Sequence, residues 1–271
     1  MTKPLHKNPW HPPYIKTSIK TSIKTLCTLL LISPGPLWAQ TTMPAQPKPP
    51  AQAGTQTPTG TQTQASPSAQ VEPPLQAKEE IFSHPLSAQT QPRFLQVCQA
   101  MAQHKVLKGA FVQTNHLSRL GRSLVSQGFF AIDIQRGMVW DTRIPFPSLT
   151  AVGKDFVVQS SGGRTTRMDA SGNETFIRIS QTMSTLFGGN AQILSQSFEL
   201  YFIEKDGMWH LGLLPKESTL KAFVKAIVMR GNAVLRQVVF YEHNGNSIVY
   251  ELYNHSFPAE LSVDEKALFA P

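Results

Sequence analysis

The chain has 271 residues, with 25 Lys+Arg against 17 Asp+Glu for a formal net charge of +8, and 41% hydrophobic residues. That length allows one large domain or two small ones, and two cysteines exclude a disulfide scaffold. Sixteen of the 21 prolines lie in residues 1–92 and five in residues 93–271, so the chain is made of two different materials.

The first 39 residues carry Lys3, Lys7, Lys16, Lys20 and Lys24 and no acidic residue. An apolar run, Thr25–Ser33, follows, then Pro34-Gly35-Pro36 and Leu37-Trp38-Ala39. A basic region, an apolar region and a small residue at the cut describe a secretory signal peptide. The run is about nine residues, whereas a spanning helix needs about 20. Residues 1–39 are therefore expected to be removed near Ala39–Gln40, with a retained anchor as the other reading. Cys27 follows Lys24-Thr25-Leu26, which has Leu where a lipidation site wants a small residue. Residues 40–92 are rich in Gln, Thr, Pro, Ala and Ser. They lack the apolar surface that offsets chain entropy and are expected to be a disordered linker.

From Arg93 the composition changes, and residues 93–271 are expected to fold. Phe94, Val97, Cys98 and Met101 fall at helical spacing, which predicts a helix with Cys98 buried. The period then becomes two. Short strands are predicted over Val106–His116, Leu124–Gln135, Met138–Thr142, Ser148–Val152, Asp155–Ser160 and Arg164–Met168, with Gly and Pro between them. A helix follows. Ser171 and Glu174 fit a capping box, Phe176, Ile179, Met183 and Leu186 line one face, and Gly188-Gly189 ends it. Five more strands are predicted: Ser197–Glu204, Met208–Leu214, Ala222–Arg230, Ala233–Tyr241 and Ser247–Asn254. Gly231-Asn232 and Asn244-Gly245 suit hairpin turns. The sum is about eleven antiparallel strands with helices at the start and in the middle.

Several strands are apolar on both faces: Phe130 and Ile132 back onto Phe129 and Ala131, and Val238 and Phe240 onto Val239 and Tyr241. A curved sheet with helices over its concave face buries one side and leaves the other to outer packing or partners. Extra apolar wall is also what a lipid-sized pocket needs. Catalytic signatures are missing: there is no G-x-S-x-G, H-E-x-x-H or phosphate loop. His104, His116, His210, His243 and His255 have no metal-ligand spacing. No catalytic residue, metal or cofactor is expected. Arg119, Arg122 and Arg143 remain as a docking patch for an acidic partner.

The stretch from Gly109 to Pro147 reads GAFVQT, then SRLGRSLVSQGFF, then RGMVWDTRIPFP. With Phe111, Gln113, Gly128, Trp140 and Pro145 in that order, it resembles the LolA family of periplasmic outer-membrane lipoprotein carriers. LGLLPK at Leu211–Lys216 and VVFYEHNGN at Val238–Asn246 support the likeness, which covers about residues 93–258. The resemblance implies a mainly β fold, an open, incomplete antiparallel barrel of about eleven strands under a helical lid. It implies a periplasmic, chaperone-like carrier that takes acylated lipoproteins from an inner-membrane ABC transporter and delivers them to an outer-membrane receptor. The two other readings are a carrier or sensor of another acylated lipid on the same fold and a periplasmic hydrolase. The expected acyl cavity is Phe111, Phe130, Ile132, Met138 and Trp140 on the early strands, with Phe176, Ile179, Met183 and Leu186 on the lid. Family carriers hook the lid with an arginine whose position falls on Ile134. Arg136, two residues on, is the candidate substitute. Met138 stands where the family has an aromatic residue.

Removing the leader lowers the charge by five, and residues 93–271 hold 18 basic and 14 acidic residues, or +4. The basic balance is largely an export signal, and nucleic acid is not an expected partner. The folded part is expected to work as a monomer.

Overall fold

A computed structural model describes residues 80–270. The expected signal peptide and the linker as far as residue 79 lie outside the described residues. Eleven strands form one antiparallel sheet in the order β6-β5-β4-β3-β2-β1-β11-β10-β9-β8-β7. Helix α1 (Gln91–Ala102) precedes β1 (Val106–Leu117), β2 (Arg122–Asp133), β3 (Gly137–Ile144), β4 (Ser148–Val152), β5 (Phe156–Ser161) and β6 (Arg164–Asp169). Helices α2 (Glu174–Gly188) and α3 (Ala191–Ser197) follow. Then come β7 (Phe198–Lys205), β8 (Met208–Pro215), the short α4 (Ser218–Lys221), β9 (Ala226–Gly231), β10 (Leu235–Tyr241), β11 (Ser247–Ser256) and α5 (Val263–Ala267).

The mainly β fold with an open antiparallel sheet and a helical cover is as expected, and its topology explains the cover. The chain runs from the central β1 outward to the edge strand β6. The next strand, β7, is at the other edge, and β8 to β11 return to the centre. The link from β6 to β7 must therefore cross one face of the sheet, and α2 and α3 are that link. Eleven flat strands would span roughly 48 Å at the usual spacing of about 4.8 Å. The 15 and seven residues of the two helices reach about 33 Å, and the six other residues of the link, 170–173 and 189–190, add about 20 Å when extended. The link has little length to spare, and a curled sheet shortens the crossing. Phe176, Ile179, Met183, Leu186 and Phe187 form the buried side of α2.

The helix ends differ from expectation in one detail. Asn173, not Ser171, caps α2 by accepting from the Phe176 N–H at 3.1 Å. The helix starts at Glu174, so that residue sits too early to close a box with Ser171. Gly188-Gly189 does end it, with Gly189 left-handed at φ 63°. The strand expected from Ala222 begins instead at Ala226, because Ser218–Lys221 form a helical turn first.

The outer face is covered from both ends of the folded body, which accounts for strands that are apolar on both sides. Ile81, 1% exposed, packs with Val228, Val239 and Tyr241 on the outside of the C-terminal strands. The segment also pairs with the β7 edge. Leu86 N–H donates to the Leu200 carbonyl at 2.8 Å, and Phe202 N–H to the His84 carbonyl at 3.0 Å. Lys205 pairs with Glu80 at 2.9 Å. Residues 80–92 are therefore part of the folded body, a correction to the boundary expected at Arg93. Their polar composition hid three apolar anchors, Ile81, Phe82 and Leu86, and two edge hydrogen bonds. On the other side Leu261, with Leu268 and Phe269, covers Val106, Ala131, Val139 and Ala151. The α5 turn is held by a Ser262–Glu265 capping box.

Two substitutions test this account. Ile81→Ala should cost about 2–5 kcal/mol, the usual range for a fully buried isoleucine, measured by denaturant unfolding. Gly189→Ala should also destabilise, by more than about 1 kcal/mol, because its backbone is left-handed and a Cβ would collide with the Cys98 carbonyl. Gly188→Ala, in a helical conformation with ordinary contact to Ile134, should be neutral or stabilising.

Candidate functional site

The concave face is the candidate site. On β1, β2, β3 and β11, residues Phe111, Phe130, Trp140 and Tyr250 meet in an aromatic group. Trp140 lies 5.1 Å from Phe111, 5.7 Å from Phe130 and 4.9 Å from Tyr250, centroid to centroid. Glycine makes the room. In the register Gly109 faces Phe130 and Gly128 faces Phe111. A Cβ on Gly109 would come 2.8 Å from the Phe130 ring.

Eight of the nine cavity residues expected from sequence share this one cluster: Phe111, Phe130, Ile132, Met138, Ile179, Met183, Leu186 and, partly buried at its edge, Trp140. Phe176 does not. It is packed with Val152 and Val157 over β4 and β5. The reason is its place on the first turn of α2, which anchors the helix on one side of the sheet. The buried Ser180 hydroxyl donates to the Gly153 carbonyl at 2.8 Å in the same region. The first half of α2 is thus fixed to β4 and β5, and the second half lies over the trough.

The expected cavity residues lie on β1 to β3 and α2, whereas Phe198, Phe202, Leu211, Met229, Val238 and Phe240 complete the same cluster from β7 to β10. Their alternation was readable, but nothing in it says which strands meet the lid. The trough is also not uniformly apolar. Gln113, Asn115, Thr142 and Thr150 are buried. By strand alternation they share the face of Phe111, Trp140 and Val152, toward the β1–β2 hairpin end. The apolar part lies toward the other end.

A small open cavity of about 40 Å³ sits at that apolar end. Met101, Leu107, Ile132, Phe187 and Leu235 line it and also belong to or pack on the concave cluster. It is the mouth of the trough, between the end of α1, the β2–β3 turn, the end of α2 and the β9–β10 turn. Ile134 and Phe257, 38% and 39% exposed, stand on its rim.

The expected lid hook is not made by Arg136. That side chain is half exposed in the β2–β3 turn, and its Nε lies 3.6 Å from Oδ2 of the buried Asp133. Asp133 also accepts from the backbone N–H groups of Gln135 and Arg136. The carboxylate shapes the turn, and the strand does not run far enough to aim Arg136 at the lid. The contact to the lid comes instead from Ile134, which borders Gly188 at the end of α2. An apolar contact stands where the family resemblance places a hydrogen-bonding arginine.

Arg119 and Arg122 flank the exposed β1–β2 hairpin tip, at the opposite end from Arg136. Arg143 sits in the irregular register opposite Gln127–Gly128, about 17 Å along the strand from Arg122, and is paired with Asp141 at 2.5 Å. The three arginines do not form one tight cluster. Exposed Leu120, Leu124 and Phe146 lie toward the same end.

Cys98 is 3% exposed on α1 against the concave cluster, and burial pushes its thiol up to about 12. Burial likewise raises the Tyr250 phenol. Among the described residues no group of three or more His, Cys, Asp or Glu is placed to hold a metal. No helix there is long and apolar enough to cross a membrane.

Residues 90–247 match the family model described as outer membrane lipoprotein carrier protein LolA-like. No curated protein matches the chain. Among solved structures, a domain assigned to outer membrane lipoprotein sorting from Vibrio parahaemolyticus is 9% identical. It covers 66% of this chain and 97% of its own, with a TM-score of 0.37. A LolA superfamily protein from Nitrosomonas europaea is 7% identical over 69% of this chain and 98% of its own, with a TM-score of 0.37. LprF from Mycobacterium bovis is 13% identical over 66% and 98%, with a TM-score of 0.32.

Alkylation of Cys98, followed by mass spectrometry of its peptide, should be slow in the folded protein and rise sharply on unfolding, since a thiol needs both exposure and ionisation to react. Fast labelling of the folded state would mean that α1 opens readily.

Proposed function

This chain belongs to the family of LolA-like outer membrane lipoprotein carrier proteins, and from that membership we propose that it carries acyl chains through the periplasm in its concave trough. The observation that carries the reading is the continuous apolar cluster between sheet and helices, with an open mouth at one end. A chain in water exposes about 0.8 kcal/mol of unfavourable surface per CH₂, so moving a lipid between membranes needs such a shelter. The trough is filled by its own side chains when empty. Met183, Leu186 and Phe187 on the free half of α2 are the groups that must move. Methionine and aromatic side chains repack at low cost, and no covalent chemistry is required.

Residues 1–39 act as the export signal in this reading, and residues 40–79 connect it to the folded body. The cargo is an acylated lipoprotein, received from an inner-membrane transporter and passed to an outer-membrane receptor. Arg119, Arg122 and Arg143, with the exposed apolar residues of the hairpin end, form the surface offered to an acidic partner. The protein works as a monomer.

Native mass spectrometry of protein purified from the periplasm should show bound acylated lipoprotein or phospholipid. Empty protein that turns over ester substrates would overturn the proposal. Leu186→Glu and Met183→Glu should abolish acyl capture and, because both side chains are buried in the empty trough, lower stability, while circular dichroism still shows the folded sheet. If they unfold the protein instead, those positions are core rather than pocket. A double charge reversal, Arg119→Glu with Arg122→Glu, should leave acyl capture intact and impair hand-over to acceptor membranes.

A further inference from the structure

The mouth of the trough contains one polar feature that acyl shelter alone does not explain. Two imidazoles, His104 and His255, line a cavity whose other lining residues are Ala, Met, Leu, Ile, Phe and Val. His104 is occupied as a wall. Its ring stacks on Phe257 at 3.8 Å between centroids. His255 is different. Its ring meets the edge of Phe130 at 6.2 Å, so it touches the aromatic group of the trough. It hydrogen-bonds the Leu235 backbone, while its Nε2 is buried with no hydrogen-bond partner.

The protonation state follows from the surroundings. Burial holds His255 below the ordinary histidine range, and the positive charge of Arg236 acts the same way; the Leu235 bond opposes them. A neutral imidazole has one N–H and one lone pair. Since Nε2 has no partner and a backbone carbonyl can only accept, we assign the N–H to Nδ1, on the Leu235 side. Nε2 is therefore a bare acceptor among apolar groups. A buried acceptor without a partner is unfavourable, and an incoming donor relieves it.

We propose that His255 Nε2 at the trough mouth accepts a hydrogen bond from an uncharged N–H or O–H donor at the polar end of the bound acyl chain. The inference rests on the carrier reading and adds ligand class to it. The preferred ligand is an amide-linked or hydroxylated acyl group. An ester, which brings only acceptors, leaves Nε2 unpaired. A carboxylate places a second acceptor against it, although exposed Arg236 attracts that charge from outside. The placement is consistent with the trough: the acyl tail runs inward past Ile132 and Phe130, and the head group stays at the mouth.

The test uses the delipidated full-length exported protein loaded with a fluorescent acyl probe. Four sixteen-carbon competitors displace it: palmitamide, the methyl ester of 3-hydroxypalmitate, methyl palmitate and palmitate. The amide or the hydroxy ester, or both, should displace the probe at about tenfold lower concentration than methyl palmitate, the equivalent of one good hydrogen bond to a buried group. The first two arms separate an N–H from an O–H donor. His255→Phe should reduce that ratio to within about twofold without weakening methyl palmitate, because the loss is confined to the bond. His255→Gln retains an acceptor and should keep much of the preference, and His104→Phe should keep all of it.

Equal displacement by donor and ester ligands in the wild type overturns the proposal, whether or not the Phe variant folds. So does a preference that survives His255→Phe, or palmitate as the best competitor. If none of the four displaces the probe, the carrier reading itself fails, and the two failures are thus distinguishable.

Discussion

The connection between β6 and β7 governs this structure. Those strands follow one another in sequence but stand at opposite edges of an eleven-stranded sheet. The chain between them has to pass over one face, with little length to spare if that face were flat. A helical cover on one side of the sheet, and with it a covered trough, follows from that requirement, and curvature eases it. A crossing segment must also bury an apolar stripe to be stable. The side of α2 that holds Ile179, Met183 and Leu186 supplies it. The lid is therefore a topological necessity that has taken on a function.

Covering one face of a curved sheet leaves the other. Here the two ends of the folded body cover it, Ile81 over the C-terminal strands and Leu261 with Phe269 over the N-terminal ones. This outer packing frees the concave side from sole responsibility for stability. A trough that must open to admit a ligand benefits from such a division. The anchored first half of α2, held by Phe176 and the Ser180–Gly153 hydrogen bond, keeps the crossing in place while its second half remains the movable part. The Ile134–Gly188 contact at the mouth is apolar, so closure here depends on side-chain packing rather than on a directed hydrogen bond.

Much of this was legible in the residues. Alternation located all eleven strands to within a few positions, and Gly188-Gly189 ended α2 where expected, because a left-handed cap needs glycine. The short elements were not legible. Ala191–Ser197 and Val263–Ala267 are too brief to show a helical period. The Asn173 cap competed with a plausible box at Ser171. Residues 80–92 read as linker because a few anchors in a polar segment do not change its average. In the site, Tyr250 and the β7–β10 residues escaped because their meeting with Trp140 depends on the β1–β11 pairing. That contact spans more than a hundred residues of sequence.

The residues alone, through period, turn chemistry and a family likeness, determined that this is an antiparallel open barrel with a helical cover. These signals are local, and each strand or cap carries its own. Only the tertiary structure decided which of the apolar faces is trough and which is outer packing, since alternation marks two faces without naming them. It also separated Phe176 from the other lid residues and returned Arg136 to its turn. It placed His255 at the mouth with one nitrogen unpaired, because that isolation arises from neighbours on α1, β2 and β10 that no stretch of sequence brings together.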